Sequence, residues 1–207
     1  QIDMNTPFDA EHKYVNAEGT VICSVRKYLV RDGAGNTILD THGKPKKEFR
    51  QFTGEHPYPR MPDVRPLYNI PNILASDQVI WVEGEKCADV LNEKGYTATC
   101  TMGGAGMLTK KSATQYDFSP LQGKELILWP DNDTAGKKVA ELVQELSLNA
   151  GVRSVKILTP PRGKPERWDV ADAVTEGFDI NNFLQTPSTF VKHNINLLDD
   201  SLLISRF

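Results

Sequence analysis

The amino-acid sequence predicts an α/β fold: a Rossmann-type sheet of about four mostly parallel strands with flanking helices, preceded by a small β-rich subdomain. From residue 78 onward, continuous apolar runs alternate with helical patterns, as in βαβ units. The residues before position 54 instead form short segments separated by glycine turns, which is typical of antiparallel strands. Prolines between these two regions predict a linker without regular secondary structure. They are Pro57, Pro59, Pro62, Pro66 and Pro71.

The N-terminal subdomain is predicted to contain antiparallel strands at residues 14–15, 21–25, 28–30 and 47–52. A turn at Gly19 and a second turn at residues 32–36, of sequence Asp-Gly-Ala-Gly-Asn, separate them. These strands alone are too short to span a large core, so we expect the subdomain to be small.

The second part of the chain is predicted to contain strands at residues 79–82, 97–101, 125–129 and 152–158. Helices are predicted at residues 86–94, 135–148, 169–175 and 178–184. The first of these strands is apolar throughout, which indicates burial of both its faces. Right-handed crossovers would place the carboxyl ends of the strands along one edge, where ligands bind in such sheets.

These patterns predict three segments along the chain. Residues 1–75 form the β-rich basic subdomain with its proline-rich linker, residues 76–185 form the α/β domain, and residues 186–207 form a C-terminal tail or linker. Because the sequence does not begin with Met and stops at Phe207, we expect it to be a fragment of a longer protein.

Charge is distributed unevenly along the chain. The net charge is −3, from 24 Lys and Arg against 27 Asp and Glu, but residues 26–65 contain nine basic and five acidic residues. A basic unit beside an acidic one suits a protein that binds a polyanion with one part and metal cations with the other. An ordinary solvated surface explains the same charges equally well.

Cysteine spacing and hydropathy argue against several classes of protein. Three cysteines without CxxC or Cys/His spacing disfavour a zinc knuckle and a disulfide framework, and favour a reducing compartment. No apolar stretch approaches the roughly 20 residues that cross a bilayer, and the N-terminus does not resemble a signal peptide. We therefore expect a cytoplasmic protein that does not bind membranes.

Acidic residues follow two of the predicted buried strands. Glu83 ends one strand, and Asp131-Asn132-Asp133 follows another. Magnesium prefers oxygen ligands and keeps several waters, so a few carboxylates plus substrate phosphates are enough to bind it. Glu83 could serve as a metal ligand or as a general base, and Lys86 could meet a phosphate near a helix N-terminus. The sequence therefore predicts a magnesium-dependent phosphoryl-transfer site.

Each of these segments also has a purely structural interpretation. The segment 131–134, Asp-Asn-Asp-Thr, is a common turn and helix N-cap, and Asp169 could cap the last helix as readily as form a metal pair with Asp172. Residues 103–106, Gly-Gly-Ala-Gly, lack the GxGxxG and Walker A spacings, which favours a flexible turn over a phosphate cradle. The functional interpretation depends on the combination of two acidic strand ends separated by one βαβ-like unit.

At these residues the chain resembles the Toprim domain, the catalytic fold shared by topoisomerases and primases. Glu83-Gly84 matches the Glu-Gly motif after the family's first strand, and Asp131-Asn132-Asp133 matches its Asp-x-Asp motif. Asp169-Val170-Ala171-Asp172 is similar to a late Asp-x-x-Asp element. The resemblance is strongest to primases of phages and mobile elements, and it covers roughly residues 14–185.

The resemblance implies a DNA primase that makes short RNA primers on single-stranded DNA from ribonucleoside triphosphates, with Mg²⁺ or Mn²⁺ as cofactor. The implied metal ligands are Glu83, Asp131, Asp133, Asp169 and Asp172. Lys86 would neutralise phosphate charge beside them. The implied contacts to the template come from Arg26, Lys47, Phe49 and Arg50. A replicative helicase, in the same longer chain or beside it, is the expected partner.

The chain departs from the family at Cys87, where many bacterial primases have a further Asp, so Glu85 or Asp89 would have to compensate. It also lacks a zinc-binding module and a Walker A motif. Two other functions remain open: a Toprim-type nuclease that uses the same carboxylates, and a non-catalytic nucleic-acid-binding module beside a helicase. A topoisomerase is disfavoured, because it needs a separate tyrosine-bearing domain.

Overall fold

Two β-sheets organise the chain in the computed structural model, which describes residues 2–41, 43–104, 106–187 and 191–192. The strands of the N-terminal sheet are β1 (Ala10–Val15), β2 (Val21–Leu29) and β3 (Lys47–Thr53). They are antiparallel in the order β1-β2-β3. The strands of the second sheet are β4 (Gln78–Trp81), β5 (Ala98–Thr99), β6 (Glu125–Leu128), β7 (Ser154–Ile157) and β8 (Val191–Lys192). Their order is β5-β4-β6-β7-β8.

Five α-helices accompany these sheets in the described part of the chain. They are α1 (Ile70–Leu74), α2 (Glu85–Glu93), α3 (Thr134–Asn149), α4 (Val170–Thr175) and α5 (Ile180–Leu184). The longest, α3, connects β6 to β7 and packs against β7. None of the described helices is long and apolar enough to cross a membrane.

Four strands of the second sheet are parallel. β4 pairs in parallel with β5 and β6, β6 pairs in parallel with β7, and β8 runs antiparallel to β7 at the edge. The predicted α/β fold, with about four mostly parallel strands after a small β-rich unit, is confirmed. The edge strand β8 has no counterpart in the prediction, because two residues are too few to form a recognisable alternation.

The parallel strands are apolar because both of their faces are buried. On one face, Trp81 belongs to a hydrophobic cluster with Val143 of α3 and Tyr14 of the N-terminal sheet. On the opposite face, Ile80 belongs to a second cluster with Leu91 of α2 and with residues of α4 and α5. The N-terminal sheet therefore shares a core with the α/β part, and the domain boundary expected near residue 75 remains a prediction.

The connections leave β4 and β6 in opposite directions along the sheet. β4 continues through α2 to β5 on one side, whereas β6 continues through α3 to β7 on the other. The strand order thus reverses between β4 and β6. In open α/β sheets, ligands bind beyond the carboxyl ends of the strands at such a point. The fold therefore singles out the residues that follow Trp81 and Leu128.

Two local predictions differ from the structure. The proline-rich stretch was expected to hold no regular element, and this is wrong at its end, where α1 starts at Ile70 and contains Pro71 in its first turn. Proline is tolerated there because the first N–H groups of a helix have no intrahelical acceptor. The segments predicted at 21–25 and 28–30 form one strand, β2, which ends at Leu29, because β3 pairs with it without interruption from Cys23 to Leu29.

Some predictions concern residues that the structure does not describe. The predicted tail, residues 186–207, lies outside the described residues except for 186–187 and 191–192. Ala105, within the glycine-rich turn at 103–106, also lies outside them.

Candidate active site

Glu83 and Asp131 follow neighbouring strands and touch each other. Trp81 of β4 lies opposite Leu128 of β6, and the next backbone bond runs from the Trp129 N–H to the Trp81 carbonyl at 2.9 Å. Beyond this ladder, Oε1 of Glu83 accepts a hydrogen bond from the backbone N–H of Asp131 at 3.0 Å. The structure therefore brings these two predicted site residues together at the point where the strand order reverses.

Asp133 is the N-cap of α3. Its Oδ1 accepts a hydrogen bond from the backbone N–H of Gly136 at 2.7 Å, which satisfies a donor of the first turn. Its Oδ2 lies 3.9 Å from Nε of Arg167. The interpretation of this segment as a helix cap is thus correct for Oδ1 of Asp133, whereas Oδ2 does not take part in the cap.

Gly136 allows α3 to approach the two strand ends. A Cβ at this position would overlap Oε1 of Glu83 and would lie 2.6 Å from the carbonyl oxygen of Asp131. Real Cβ atoms do not approach a carbonyl oxygen so closely, so any larger residue must displace the helix or the strand end. The sequence shows this glycine three residues after Asp133, but only the structure shows why it is required.

Asp169 and Asp172 form a capping box at the start of α4. Oδ1 of Asp169 accepts from the Asp172 N–H at 2.9 Å, and Oδ2 of Asp172 accepts from the Asp169 N–H at 3.3 Å. Both carboxylates also lie near enough to Asp131 to raise its pKa. The cap that the sequence left as an alternative is therefore present, and its two carboxylates join those of Glu83, Asp131 and Asp133 in one acidic cluster.

Negative charge at this edge of the sheet is poorly compensated. Burial raises the pKa of Asp131 to about 7, with further contributions from Glu83 and then from Asp169. Burial also raises the pKa of Glu83; the hydrogen bond from Asp131 opposes this shift, and Asp133 adds to it. These carboxylates lie together in a half-buried cleft, where their negative charges repel one another. A bound cation would relieve that repulsion.

The donor set fits a hard divalent cation better than a soft one. It consists of carboxylate oxygens, which magnesium prefers, and lacks the His and Cys ligands typical of zinc. Among the described residues, no three His, Cys, Asp or Glu side chains form a ready-made metal cage. Magnesium does not need one, because it is commonly held by one or two carboxylates together with waters and substrate phosphates.

Lys86 and Cys87 lie in the first turn of α2. Lys86 is exposed, and no described contact joins it to the carboxylates of the cluster. Burial, with the negative charge of Asp169 as the next contribution, raises the pKa of the Cys87 thiol to about 12. A neutral thiol therefore occupies the position at which the Toprim resemblance leads one to expect a further carboxylate.

Glu85 and Asp89, the two acids expected to compensate for Cys87, have other partners. The Tyr14 hydroxyl donates to Oε1 of Glu85 at 2.8 Å. Asp89 accepts from the Tyr68 hydroxyl at 2.8 Å and lies 3.0 Å from Nδ1 of His12. Through these contacts both acids connect α2 to the N-terminal sheet and its linker, not to the acidic cluster.

The four N-terminal residues expected to bind nucleic acid lie on two faces of the antiparallel sheet. Lys47 and Phe49 share one face, where the Lys47 ammonium lies 5.7 Å from the centre of the Phe49 ring. Arg26 and Arg50 are opposite each other on the other face. Arg50 donates to Glu48 at 2.6 Å. Phe49 remains 38% exposed, so the first pair presents a cation and a ring to solvent.

Arg26 is held by other parts of the protein. Its Nε lies 2.8 Å from Glu11, and its Nη1 donates to the Met4 carbonyl at 2.7 Å. The guanidinium lies between the rings of Phe8 and Phe52, 4.6 and 4.7 Å from their centres. These contacts favour a structural role for Arg26, whereas Lys47 and Phe49 remain available.

Comparisons with known proteins show which solved structures share this fold. No protein-family model and no curated protein matches the sequence. A structure of the Aquifex aeolicus primase, with its zinc-binding and RNA polymerase domains, matches 86% of this chain at 20% identity with a TM-score of 0.59. A DNA primase domain from Pseudomonas aeruginosa matches 84% at 20% identity and a TM-score of 0.53. The Escherichia coli primase catalytic core matches 80% at 18% identity and a TM-score of 0.51.

The chain has a primase fold. It spans 40%, 48% and 47% of the lengths of these three structures, so it corresponds to less than half of each. At this level of identity the likeness is one of fold. The acidic cluster lies beyond the carboxyl ends of the two central strands of that fold.

The sequence alone assigns no separate role to Lys27, Asn132 or Arg167. Lys27 lies opposite Phe49 and so shares its face of the N-terminal sheet; the alternation of β2 could have indicated it, had the strand been predicted at full length. Asn132 and Arg167 contact each other through their backbones. No local pattern indicates that contact, because 35 positions separate them in the sequence.

Proposed function

We propose that this chain is the catalytic part of a Toprim-type DNA primase, which makes short RNA primers on single-stranded DNA by two-metal nucleotidyl transfer. The observation that carries this proposal is the hydrogen bond from the Asp131 N–H to Glu83, at the point where the strand order reverses. The pKa of Asp131 is raised to about 7 there. The fold shared with primase structures supports it. On the basis of the Toprim resemblance, the proposed setting is the replication of a phage or mobile element, in the cytoplasm of a bacterial or phage-infected cell.

The carboxylates of the cluster are the proposed metal-binding groups. Glu83 and Asp131 face the cleft from neighbouring strands, and Asp133 contributes the oxygen that does not cap α3. Asp169 and Asp172 add negative charge from the start of α4. Bound Mg²⁺ or Mn²⁺ would supply a Lewis acid that favours the attacking 3′-hydroxylate and neutralises triphosphate charge.

The protein's own groups would bind, orient and exchange protons around that reaction. Oε1 of Glu83 accepts the hydrogen bond from the Asp131 N–H, so Oε2 would bind a cation or take up a proton. In the metal-free protein the pKa of Asp131 is raised to about 7, so its carboxyl group would release a proton when a cation binds. Lys86, exposed in the first turn of α2, would meet phosphate charge entering from solvent.

The exposed cation and ring of the N-terminal sheet are the proposed template contacts. Lys47 would neutralise a backbone phosphate and Phe49 would stack on a base, as in sequence-tolerant single-strand binding. Lys27, on the same face, would add a second charge. Ribonucleoside triphosphates are the proposed substrates, and a replicative helicase is the proposed partner.

The test combines single-stranded DNA, labelled ribonucleotides and Mg²⁺ or Mn²⁺, with Asp131→Ala beside wild type. We expect primer-length products from wild type and none from Asp131→Ala. Glu141→Ala, a change of an exposed acid on α3, is the matched control and should keep full activity. Shortened DNA in place of primers would indicate a nuclease, and retention of DNA without any product would indicate a binding module.

A further inference from the structure

Asn132 lies between two proposed metal ligands, but its side chain has a different task. Its Nδ2 donates to the carbonyl oxygens of Lys164 and Pro165 at 3.0 and 2.8 Å. Its backbone N–H donates to the Trp168 carbonyl at 3.0 Å, and its own carbonyl accepts from the Arg167 N–H at 3.1 Å. Four hydrogen bonds from one residue therefore fix the loop 164–168 against the acidic cluster.

The far side of the same loop is anchored in the core. Trp168 is 1% exposed and donates from Nε1 to Glu176 at 2.9 Å. Lys164 forms an ion pair with the same Glu176, and its ammonium lies 5.0 and 4.9 Å from the rings of Trp168 and Phe178. The charge of Lys164 is thus satisfied within the protein, and the loop has little freedom to move.

Arg167 is presented to solvent from this fixed loop. Its backbone has φ +63°, a left-handed conformation that residues with a Cβ adopt rarely. Such conformations persist where the surroundings enforce them, and they are concentrated at ligand-binding positions. The side chain is 75% exposed, with Nε 3.9 Å from Oδ2 of Asp133.

The contact between Arg167 and Asp133 is too loose for a structural ion pair. A charge-assisted hydrogen bond brings nitrogen and oxygen within about 2.7–2.9 Å, as between Arg26 and Glu11, whereas the single contact of 3.9 Å here leaves the planar donor fork open. Among the residues that the structure describes, Arg167 is also the only Lys or Arg in ion-pair contact with the five carboxylates of the cluster. A guanidinium in this position can reach an anion that sits on the metal side of Asp133.

We propose that Arg167 binds the phosphates of the incoming nucleoside triphosphate, and that Asn132 is the residue that positions it. The proposal rests on the proposed function, since it places the nucleotide at the acidic cluster. A guanidinium donates parallel hydrogen bonds to two phosphate oxygens at once, so it suits the charged phosphates of a nucleotide. Because Asn132 fixes the loop, the backbone of Arg167 is already in place when the phosphates bind.

The test measures the affinity of a non-hydrolysable, fluorescent ribonucleoside triphosphate in the presence of Mg²⁺, together with KM and kcat in the primer assay. We expect Arg167→Ala to raise the nucleotide Kd and KM about 10-fold or more, from the loss of charge-assisted hydrogen bonds. The Kd of the matching nucleoside, which carries no phosphate, should stay unchanged. Asn132→Ala should raise the triphosphate Kd in the same direction by a smaller factor. Arg162→Ala, which removes an exposed arginine from the same connection, should leave all these values unchanged.

A second variant separates binding from folding. Arg167→Gly relieves the left-handed backbone, so we expect a higher Tm than wild type together with the same weakened nucleotide binding.

Wild-type affinity in Arg167→Ala and Arg167→Gly would overturn the proposal, as would an equal loss in Arg162→Ala. If wild type binds triphosphate through Arg167 but makes no primers, the proposed function fails and the phosphate site stands. If wild type makes primers with an unchanged KM in Arg167→Ala, only the phosphate site fails. If wild type binds no triphosphate, both fail.

Discussion

Gly136 and Glu83 meet at the edge of the parallel sheet with no room between them for a side chain. A Cβ at position 136 would overlap Oε1 of Glu83 and lie 2.6 Å from the Asp131 carbonyl oxygen. The contact with Asp131 is the more restrictive one, because a carboxylate can rotate away whereas a backbone carbonyl moves only with its strand end. The first turn of α3 can therefore reach the acidic cluster only with glycine at this position.

Gly136→Ala should destabilise the protein by about 1–3 kcal/mol, the usual effect of overpacking a well-packed site. It should also weaken Mn²⁺ binding, because Glu83 and Asp131 are displaced. Helix propensity alone predicts the opposite sign, since alanine is favoured over glycine inside helices. Urea unfolding measures the stability change. Gly33→Ala, where no atom lies within 4 Å of an added Cβ, is the control; a Gly136→Ala protein as stable as wild type would contradict the close contact.

The raised pKa of Asp131 makes the stability of the metal-free protein depend on pH. The pKa rises from 3.8 to about 7 on folding, so the folded state holds this proton more tightly than the unfolded state. The resulting stabilisation is complete below 3.8 and is lost as the pH rises through about 7. Asp131→Asn should therefore be more stable than wild type in the absence of metal above neutral pH.

Thermal unfolding across this range, with and without Mg²⁺, measures the effect. Excess Mg²⁺ should recover stability in wild type above neutral pH, because the cation replaces the proton among the carboxylates, and should recover much less in Asp131→Asn. Equal pH profiles for the two metal-free proteins would argue that Asp131 is not buried against its acidic neighbours.

Asp169 combines a helix cap with negative charge, and two substitutions separate these roles. Asn caps a helix about as well as Asp, so Asp169→Asn should fold with nearly wild-type stability, whereas Asp169→Ala should lose about 1 kcal/mol. Both should bind Mn²⁺ more weakly if the carboxylate helps to hold metal. Asp179→Asn, at the N-cap of α5, provides a control with the same chemistry outside the cluster. If Asp169→Asn binds Mn²⁺ with the wild-type affinity, Asp169 acts only as a helix cap and does not help to hold the metal.

The sequence was sufficient to predict the parallel strands and the acidic residues that follow them. Apolar runs such as residues 79–82 have few alternatives to a buried strand, and the parallel pairing then brings Glu83 and Asp131 together. The sequence also predicted the N-cap role of Asp133, because a helix cap depends only on the spacing of neighbouring residues. These features follow from short-range patterns plus one topological rule.

Contacts between distant segments were not predictable in this way. The partners of Glu85 and Asp89 come from the N-terminal sheet and linker, so their separation from the cluster becomes visible only once the sheets have packed. The four hydrogen bonds from Asn132 involve a loop about 30 residues later, whose carbonyl groups leave no trace in the sequence. Arg26 looked like a free cation because its two aromatic neighbours, Phe8 and Phe52, meet only in the folded sheet.

Lys47 and Phe49 should contribute to single-stranded DNA binding in two different ways. Phe49→Leu removes a stacking ring but keeps an apolar side chain, so we expect a loss of affinity of about 10-fold, in line with roughly 1–3 kcal/mol per stacked base, at every salt concentration. Lys47→Gln removes one phosphate contact and should reduce the slope of log K against log salt by about 0.7. Fluorescence anisotropy with a short labelled oligonucleotide measures both quantities. Tyr58→Leu and Lys94→Gln, an exposed ring and an exposed cation elsewhere, are the controls. If the controls weaken binding as much as the two variants do, the template does not lie on this face of the sheet.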